Sequence, residues 1–104
     1  MKYGELTFRR FYDTLCGGSL SREELLAIWL YMKTVYPDEE FNPVLVVAEF
    51  SSYATLNDWN EDLKYEYDSW AEVALDHTVI QFDGMILVAD ERSGFKHGLF
   101  SFCG

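Results

Sequence analysis

The chain has 104 residues and a formal net charge of −10, and 49% of its residues are hydrophobic, which excludes a disordered acidic chain. This length predicts a single domain over residues 1–104. The surplus of acid argues against direct binding to nucleic acid or to an anionic membrane, because both need a surface of Lys and Arg. No apolar leader follows Met1, and no apolar run approaches the ~18 residues of a transmembrane helix, so we expect a cytoplasmic protein.

The sequence pattern of residues 1–37 predicts a helical hairpin. The first helix, over residues 5–15, is indicated by apolar side chains at i, i+3, i+4 and i+7: Phe8, Phe11, Tyr12 and Leu15. Gly17 and Gly18 end it. Ser19 or Ser21 starts the second helix, and Ser21 with Glu24 matches a capping box. Pro37 stops this helix, so the two helices form an αα-hairpin.

The longest apolar run, residues 43–50 (PVLVVAEF), predicts a buried β-strand. It is rich in β-branched residues, and Pro43 and the pair Ser51-Ser52 bound it. Eight residues are also too few for an independent helix. Because an inward carboxylate would be costly, we expect Glu49 to lie at the margin of the sheet or to have a partner.

Two short helices are predicted next. Thr55 is a suitable N-cap for a third helix over residues 56–66, with Asp58 in its first turn. Ser69 is a suitable N-cap for a fourth helix, with Glu72 at the capping-box position.

A β-hairpin follows, because Asp83-Gly84 separates two β-rich runs and predicts a type I′ turn. This turn pairs Phe82 with Met85 and therefore sets the register. The Phe-rich tail, 92–104, either forms a further strand or lies across the sheet. The predicted fold is α+β: an N-terminal αα-hairpin and two short helices packed on a small antiparallel sheet of three or four strands.

The charge is concentrated in one part of the sequence. Residues 1–37 carry +1, residues 38–91 carry −13, and residues 92–104 carry +2. Within the acidic region, carboxylates recur every three or four residues from Asp58 to Asp76, a spacing that predicts a ribbon on the solvent face of the third and fourth helices. The candidate partner-binding residues are Asp58, Glu61, Asp62, Glu66, Asp68 and Glu72, with Tyr65 and Tyr67 as packing contacts.

This ribbon has two interpretations. Duplex DNA presents about one negative charge per 1.7 Å, so spaced carboxylates with aromatic neighbours are suited to a Lys/Arg-lined nucleic-acid channel. The alternative is an ordinary solvated face, with Trp59 and Trp70 in the core.

No metal site is expected. The spacing Asp58-x-Asn60-x-Asp62 resembles the start of a calcium loop, but Leu63 replaces the turn glycine and Ser69 the bidentate glutamate. The two histidines, His77 and His97, have no ligand at zinc spacing and are expected at the surface.

No catalytic signature is present either. Cys16 has no histidine nearby in the sequence, so we expect a small buried hydrophobe beside the glycine corner, and with Cys103 it makes two free thiols. Phosphate-binding glycine loops and nucleophile elbows are absent from the sequence. We therefore expect neither an enzyme nor a cofactor.

Four short motifs lie between residues 44 and 89: Glu49-Phe50-x-x-Tyr53, an acidic helix from Leu56, Tyr67-x-Ser69-x-x-Glu72, and Thr78-Val79-Ile80 before Asp83-Gly84. Together they resemble a group of small acidic proteins encoded by bacteriophages and prophages. Such proteins are similar in style to anti-CRISPR and anti-restriction inhibitors, which bind a host nuclease complex and block its DNA site. The resemblance assigns no individual binding residue.

Three functions remain open from the sequence. The first is a phage-type inhibitor whose acidic face mimics nucleic acid and binds a CRISPR effector or restriction nuclease in the bacterial cytoplasm. The second is an immunity or antitoxin protein that neutralises a basic nuclease. The third is an adaptor that binds through the Phe-rich tail. An unpaired strand at a sheet edge also permits a homodimer.

Overall fold

The computed structural model describes residues 1–53, 55–82, 84–89 and 94–102. Its helices are α1 (Phe8–Leu15), α2 (Arg22–Val35), α3 (Pro43–Glu49), α4 (Leu56–Leu63) and α5 (Trp70–Val73). Its strands are β1 (Phe50–Tyr53), β2 (Thr78–Phe82), β3 (Met85–Ala89) and β4 (Gly98–Phe102). The fold is α+β, and the chain divides into two compact units, Met1–Ala48 and Glu49–Gly104.

The first unit contains the expected pair of contacting helices. A short 3₁₀ turn, Tyr3–Glu5, precedes α1, so the α-helix begins three residues later than the apolar spacing predicts. Of the two candidate caps for α2, the structure uses Ser21: its hydroxyl accepts from the Glu24 backbone N–H at 3.2 Å, and its own N–H donates to the Glu24 carboxylate at 2.8 Å. The capping box is therefore confirmed.

The strand predicted over residues 43–50 is wrong, because residues 43–49 form α3. Local chemistry starts this helix. Pro43 has the fixed φ that suits a first helical residue, and the Asn42 side chain accepts from the Val44 N–H at 3.1 Å. The preference of β-branched residues for strands is weak enough to be overridden by such a start.

Only a short part of the predicted strand is extended. β1 starts at Phe50 and continues to Tyr53, beyond the apolar run. Within α3 only Val46 is buried, at 2% exposure, whereas Val44 is 74% exposed. Glu49 is not part of a strand: it is the last residue of α3, immediately before β1.

The second unit is built on a four-stranded sheet in the order β1-β3-β2-β4. The hairpin register is confirmed, with Phe82 opposite Met85 and Val79 opposite Val88. Gly84 has the positive φ, +81°, that such a turn requires. Asp83, the other residue of the predicted turn, lies outside the described residues.

The sheet is mixed, which corrects the antiparallel prediction. β4 takes up the Phe-rich tail as a fourth strand, and it pairs with β2 in parallel, Thr78 opposite Gly98. The direction follows from the connection: Ala89 ends β3 level with the start of β2, and β4 begins at that same end. The Thr78 hydroxyl also donates to the carbonyl of Lys96 at 2.7 Å, which holds the segment just before β4 against β2.

Helices α4 and α5 cover part of this sheet, α4 against β1 and α5 against β2. Trp59 of α4, 1% exposed, forms the centre of the core with five other buried residues, Val73, Ala74, Val79, Ile86 and Val88. In the part of the chain that the structure describes, no helix is long and apolar enough to cross a membrane.

Candidate functional site

The acidic segment 58–76 does not form one helical ribbon. Asp58, Glu61 and Asp62 lie on α4, but that helix ends at Leu63 instead of continuing to residue 66. Lys64 adopts the left-handed conformation (φ 59°, ψ 40°), and its N–H bonds back to the Asn60 carbonyl. The carboxylates that follow therefore reach the surface from other backbone positions.

The remaining acids occupy a connecting loop and α5. Glu66 and Asp68 lie in the loop, Glu72 lies in α5, and Asp76 follows it. All seven carboxylates from Asp58 to Asp76 are exposed. The predicted exposure is therefore correct, but only Asp58, Glu61 and Asp62 on α4 and Glu72 on α5 lie on the two predicted helices.

A two-way hydrogen bond holds the loop against α4. The side chain of Asn60 donates from Nδ2 to the Tyr67 carbonyl at 2.9 Å and accepts from the Tyr67 N–H at 3.1 Å through Oδ1. We call this pair of bonds the Asn60 clamp. Asn60 lies within the calcium-like spacing of the sequence, and in the structure its side chain closes the loop between residues 60 and 67.

Tyr65 and Tyr67 lie against the buried indole of Trp59. The Tyr65 ring stacks on Trp59 with centroids 5.1 Å apart and an interplanar angle of 28°, and the Tyr67 ring lies 5.3 Å away. The two tyrosine rings meet edge to face at 5.5 Å. Tyr65 remains 37% exposed, so its ring packs on Trp59 and Tyr67 on one side and is accessible to solvent on the other.

His77 belongs to this aromatic cluster, which corrects its expected place at the surface. Its side chain is buried, at 6% exposure, and its ring stands edge-on to Trp59 at 5.2 Å. The same ring lies 5.8 Å from Tyr65. The position just before β2 brings it under the loop, a tertiary effect that its isolated place in the sequence did not signal.

Two tyrosine hydroxyls donate to acids of the segment. Tyr67 donates to Asp76 at 2.8 Å, and this bond, with burial and the negative charge of Asp76, raises the pKa of Tyr67 to about 12. Tyr53 donates to Asp62 at 3.3 Å, and desolvation followed by the Asp62 charge raises the pKa of Tyr53. Asp62 and Asp76 are therefore held in place, and both tyrosines stay neutral at physiological pH.

The other acids are less constrained. Glu61 accepts only a long bond, 3.4 Å, from Asn57, and Glu72 accepts one of 3.4 Å from the Asp68 N–H. Glu66 and the Asp68 carboxylate make no hydrogen bond or ion pair within the described residues.

The charge of this surface is not neutralised by ion pairs. Residues 49–104 carry eleven acids against three basic residues, a net charge of −8. The ion pairs found among the described residues involve Asp13 and Glu40, both in the first unit. Lys64 is the one basic residue between Asp58 and Asp76 in the sequence. The acidic segment therefore presents a strong negative potential to solvent.

The remaining candidates for chemistry are metal ligands and the two cysteines. No group of three or more potential metal ligands occurs within the described ranges. Cys16 is exposed, which corrects its predicted burial: α1 ends at Leu15, so the thiol lies beyond the helix face that packs inward. Cys103 lies outside the described residues.

Comparison with known proteins found no match among protein-family models, curated proteins or solved structures. The resemblance to small acidic phage proteins therefore stays a prediction based on short motifs.

Proposed function

We propose that this protein is a non-enzymatic inhibitor of the kind that bacteriophages encode. It binds the basic nucleic-acid site of a host defence complex, a CRISPR effector or a restriction nuclease, in the bacterial cytoplasm. Its acidic surface takes the place of the nucleic acid, so the protein itself binds neither nucleic acid nor membrane.

One observation carries this proposal: seven exposed carboxylates within residues 58–76 lack ion pairs among the described residues. A basic partner releases counterions from such a surface and supplies the missing positive charge, as phosphate-binding proteins do on DNA. The acids also stand on an ordered base, because the Asn60 clamp and the aromatic cluster fix the loop.

The roles divide according to the structural contacts of each acid. Glu61, Glu66 and Asp68 have at most weak contacts of their own, so they are phosphate surrogates available to Lys and Arg. Asp58, Asp62 and Glu72 add to the same negative field. Asp58 and Glu72 also lie in the first turns of α4 and α5, and Asp62 accepts the hydrogen bond from Tyr53. Tyr65 offers an exposed ring to an arginine or lysine of the partner, and Tyr67 supports it.

The first test is a pull-down with the tagged protein from lysate of a bacterium with active CRISPR and restriction systems, washed at low and high salt. We expect a basic nuclease complex that elutes as salt rises. Charge reversal of Glu61, Glu66 and Asp68 to lysine should abolish its capture. These three side chains contribute little to the fold, so circular dichroism should remain unchanged.

A matched control separates a binding surface from net charge alone. Glu5, Asp38 and Glu39 are exposed acids of the first unit. Reversing them to lysine adds six charges, as the first triple does, and brings the net charge from −10 to −4 in both variants. The control variant should still capture the complex. If both triples lose it equally, or if neither does, the acidic segment is not the binding surface.

An immunity or antitoxin function uses the same carboxylates against a different basic nuclease. The same pull-down distinguishes the two by the protein that is recovered, a defence complex or a toxin. The Phe-rich tail is strand β4, so deletion of residues 93–104 would remove part of the sheet. A partner that both charge-reversal triples retain and that Leu99→Lys loses would instead support an adaptor.

A further inference from the structure

The outer edge of β4 carries backbone hydrogen-bonding groups that no strand of the described residues pairs with. In a parallel ladder, alternate residues of a strand bond to the neighbouring strand. The Gly98 N–H donates to the His77 carbonyl at 3.1 Å, so Gly98, Phe100 and Phe102 direct their backbone groups to β2. The N–H and C=O groups of Leu99 and Ser101 therefore point away from β2, where no strand of the described residues lies.

The sequence of β4 lacks the charged side chains and the proline that usually protect an exposed edge from pairing. Exposed edges are normally blocked by charged side chains, proline or a bulge. The five residues of β4 include no charge and no proline, although the chain carries 18 acids. Leu99 is 43% exposed beside the open backbone groups. The edge is thus neutral and apolar within a strongly acidic protein.

The strand is also self-complementary. Antiparallel pairing of two copies about Phe100 puts Leu99 of each copy opposite Ser101 of the other. Both residues present their N–H and C=O outward, so each pair exchanges two hydrogen bonds. The Phe100 side chains then meet as the closer, non-hydrogen-bonded pair. Such a two-fold interface uses the same patch on both copies.

We propose that β4 is a homodimerisation edge, at which two copies pair antiparallel about Phe100 and join their sheets. The occupant is a second copy because this register satisfies both outward-facing residues at once. The charge distribution also favours it, since residues 94–102 include Lys96 and no acid. Two copies of charge −10 therefore meet where their mutual repulsion is weakest.

Salt distinguishes this contact from the proposed function. Two chains of like charge repel, so the dimer should tighten as salt rises. Capture of a basic partner by the acidic segment should weaken over the same range. Either proposal can therefore fail without the other.

The test is analytical ultracentrifugation of the untagged protein over a range of concentration and salt. We expect a species of twice the 12.1 kDa chain mass. Leu99→Lys places a charge at the edge, and Ser101→Pro removes an outward N–H and no backbone bond to β2, although it also removes the bond that the Ser101 hydroxyl donates to Gln81 of β2 at 3.1 Å. Each should raise the dimer Kd by at least about tenfold. Leu75→Lys makes the same chemical change at a 74% exposed site outside the sheet and should leave the dimer unchanged.

Amide hydrogen exchange locates the contact by residue. The Leu99 and Ser101 amides should become protected as concentration rises, while Phe100 and Phe102, already bonded to β2, should not change. A wild-type protein that stays monomeric at high concentration and high salt would overturn the proposal. So would a dimer that both edge variants form as tightly as the Leu75→Lys control.

Discussion

The Asn60 clamp allows a sharp test of how the acidic loop is held. The side chain of Asn60 makes two bonds with the Tyr67 backbone, at 2.9 and 3.1 Å, in a partly buried position. A hydrogen bond of this type contributes about 1 kcal/mol net, so Asn60→Ala should remove about 2 kcal/mol of unfolding free energy. Alanine recovers part of this, up to roughly 0.7 kcal/mol, through its better helix propensity.

Asn57 supplies the matched control. It lies on the same helix, is exposed, and makes only a 3.4 Å bond to Glu61. Asn57→Ala gains the same helix propensity without losing the clamp. The difference in unfolding free energy between the two variants therefore measures the clamp, and we expect about 2 kcal/mol.

Urea denaturation followed by tryptophan fluorescence measures this difference. In a Trp29→Phe background the remaining tryptophans, Trp59 and Trp70, both lie in the second unit and report on it alone. If the variants differ by less than about 0.5 kcal/mol, the clamp does not stabilise the loop and the reasoning fails.

Three further predictions concern single residues. Lys64 has a positive φ of 59°, which glycine adopts without strain. The Lys64→Gly variant should therefore have an unfolding free energy about 1 kcal/mol higher than the Lys64→Ala variant, which loses the same charge. Urea denaturation measures this difference. The pKa of Tyr67 is raised from 10.0 to about 12, so its contribution to stability is complete below pH 10 and is lost as pH rises towards 12. Asp76→Asn should return that pKa towards 10 in a tyrosinate absorbance titration. Ser21→Ala should cost about 1 kcal/mol in the same urea assay, whereas Ser19→Ala should cost almost nothing.

Local signals predicted the parts of the fold that depend on neighbouring residues. The hydroxyls of Ser21, Thr55 and Ser69 each accept from a backbone N–H three residues on, as their sequence contexts indicate. The hairpin register likewise follows from a two-residue turn. These contacts form within a few residues of the chain, so their chemistry is visible in the sequence.

The errors have two sources: a local helix start or end that the apolar and acidic spacing did not indicate, and, for His77, a tertiary contact. A run of β-branched residues became α3 because Asn42 and Pro43 start a helix there. His77 is buried because a loop ten residues earlier folds over it. The candidate acids were identified correctly as exposed, but their arrangement depends on Lys64 ending α4, and a lysine is not the residue that usually signals such an end.

The surplus of carboxylates should affect stability and binding in opposite directions. Residues 49–104 contain eleven acidic and three basic residues, so repulsion among the carboxylates disfavours the folded unit. Replacing Glu61, Glu66 and Asp68 by their amides keeps the side-chain shapes and removes three charges. We expect the urea midpoint to rise at low salt, while capture of a basic partner falls. The rise should vanish in high salt, since the Debye length shortens from about 30 Å at 0.01 M to about 3 Å at 1 M. A gain that persists in high salt would point to local contacts as the source, and the long-range field invoked for partner binding would lose its support.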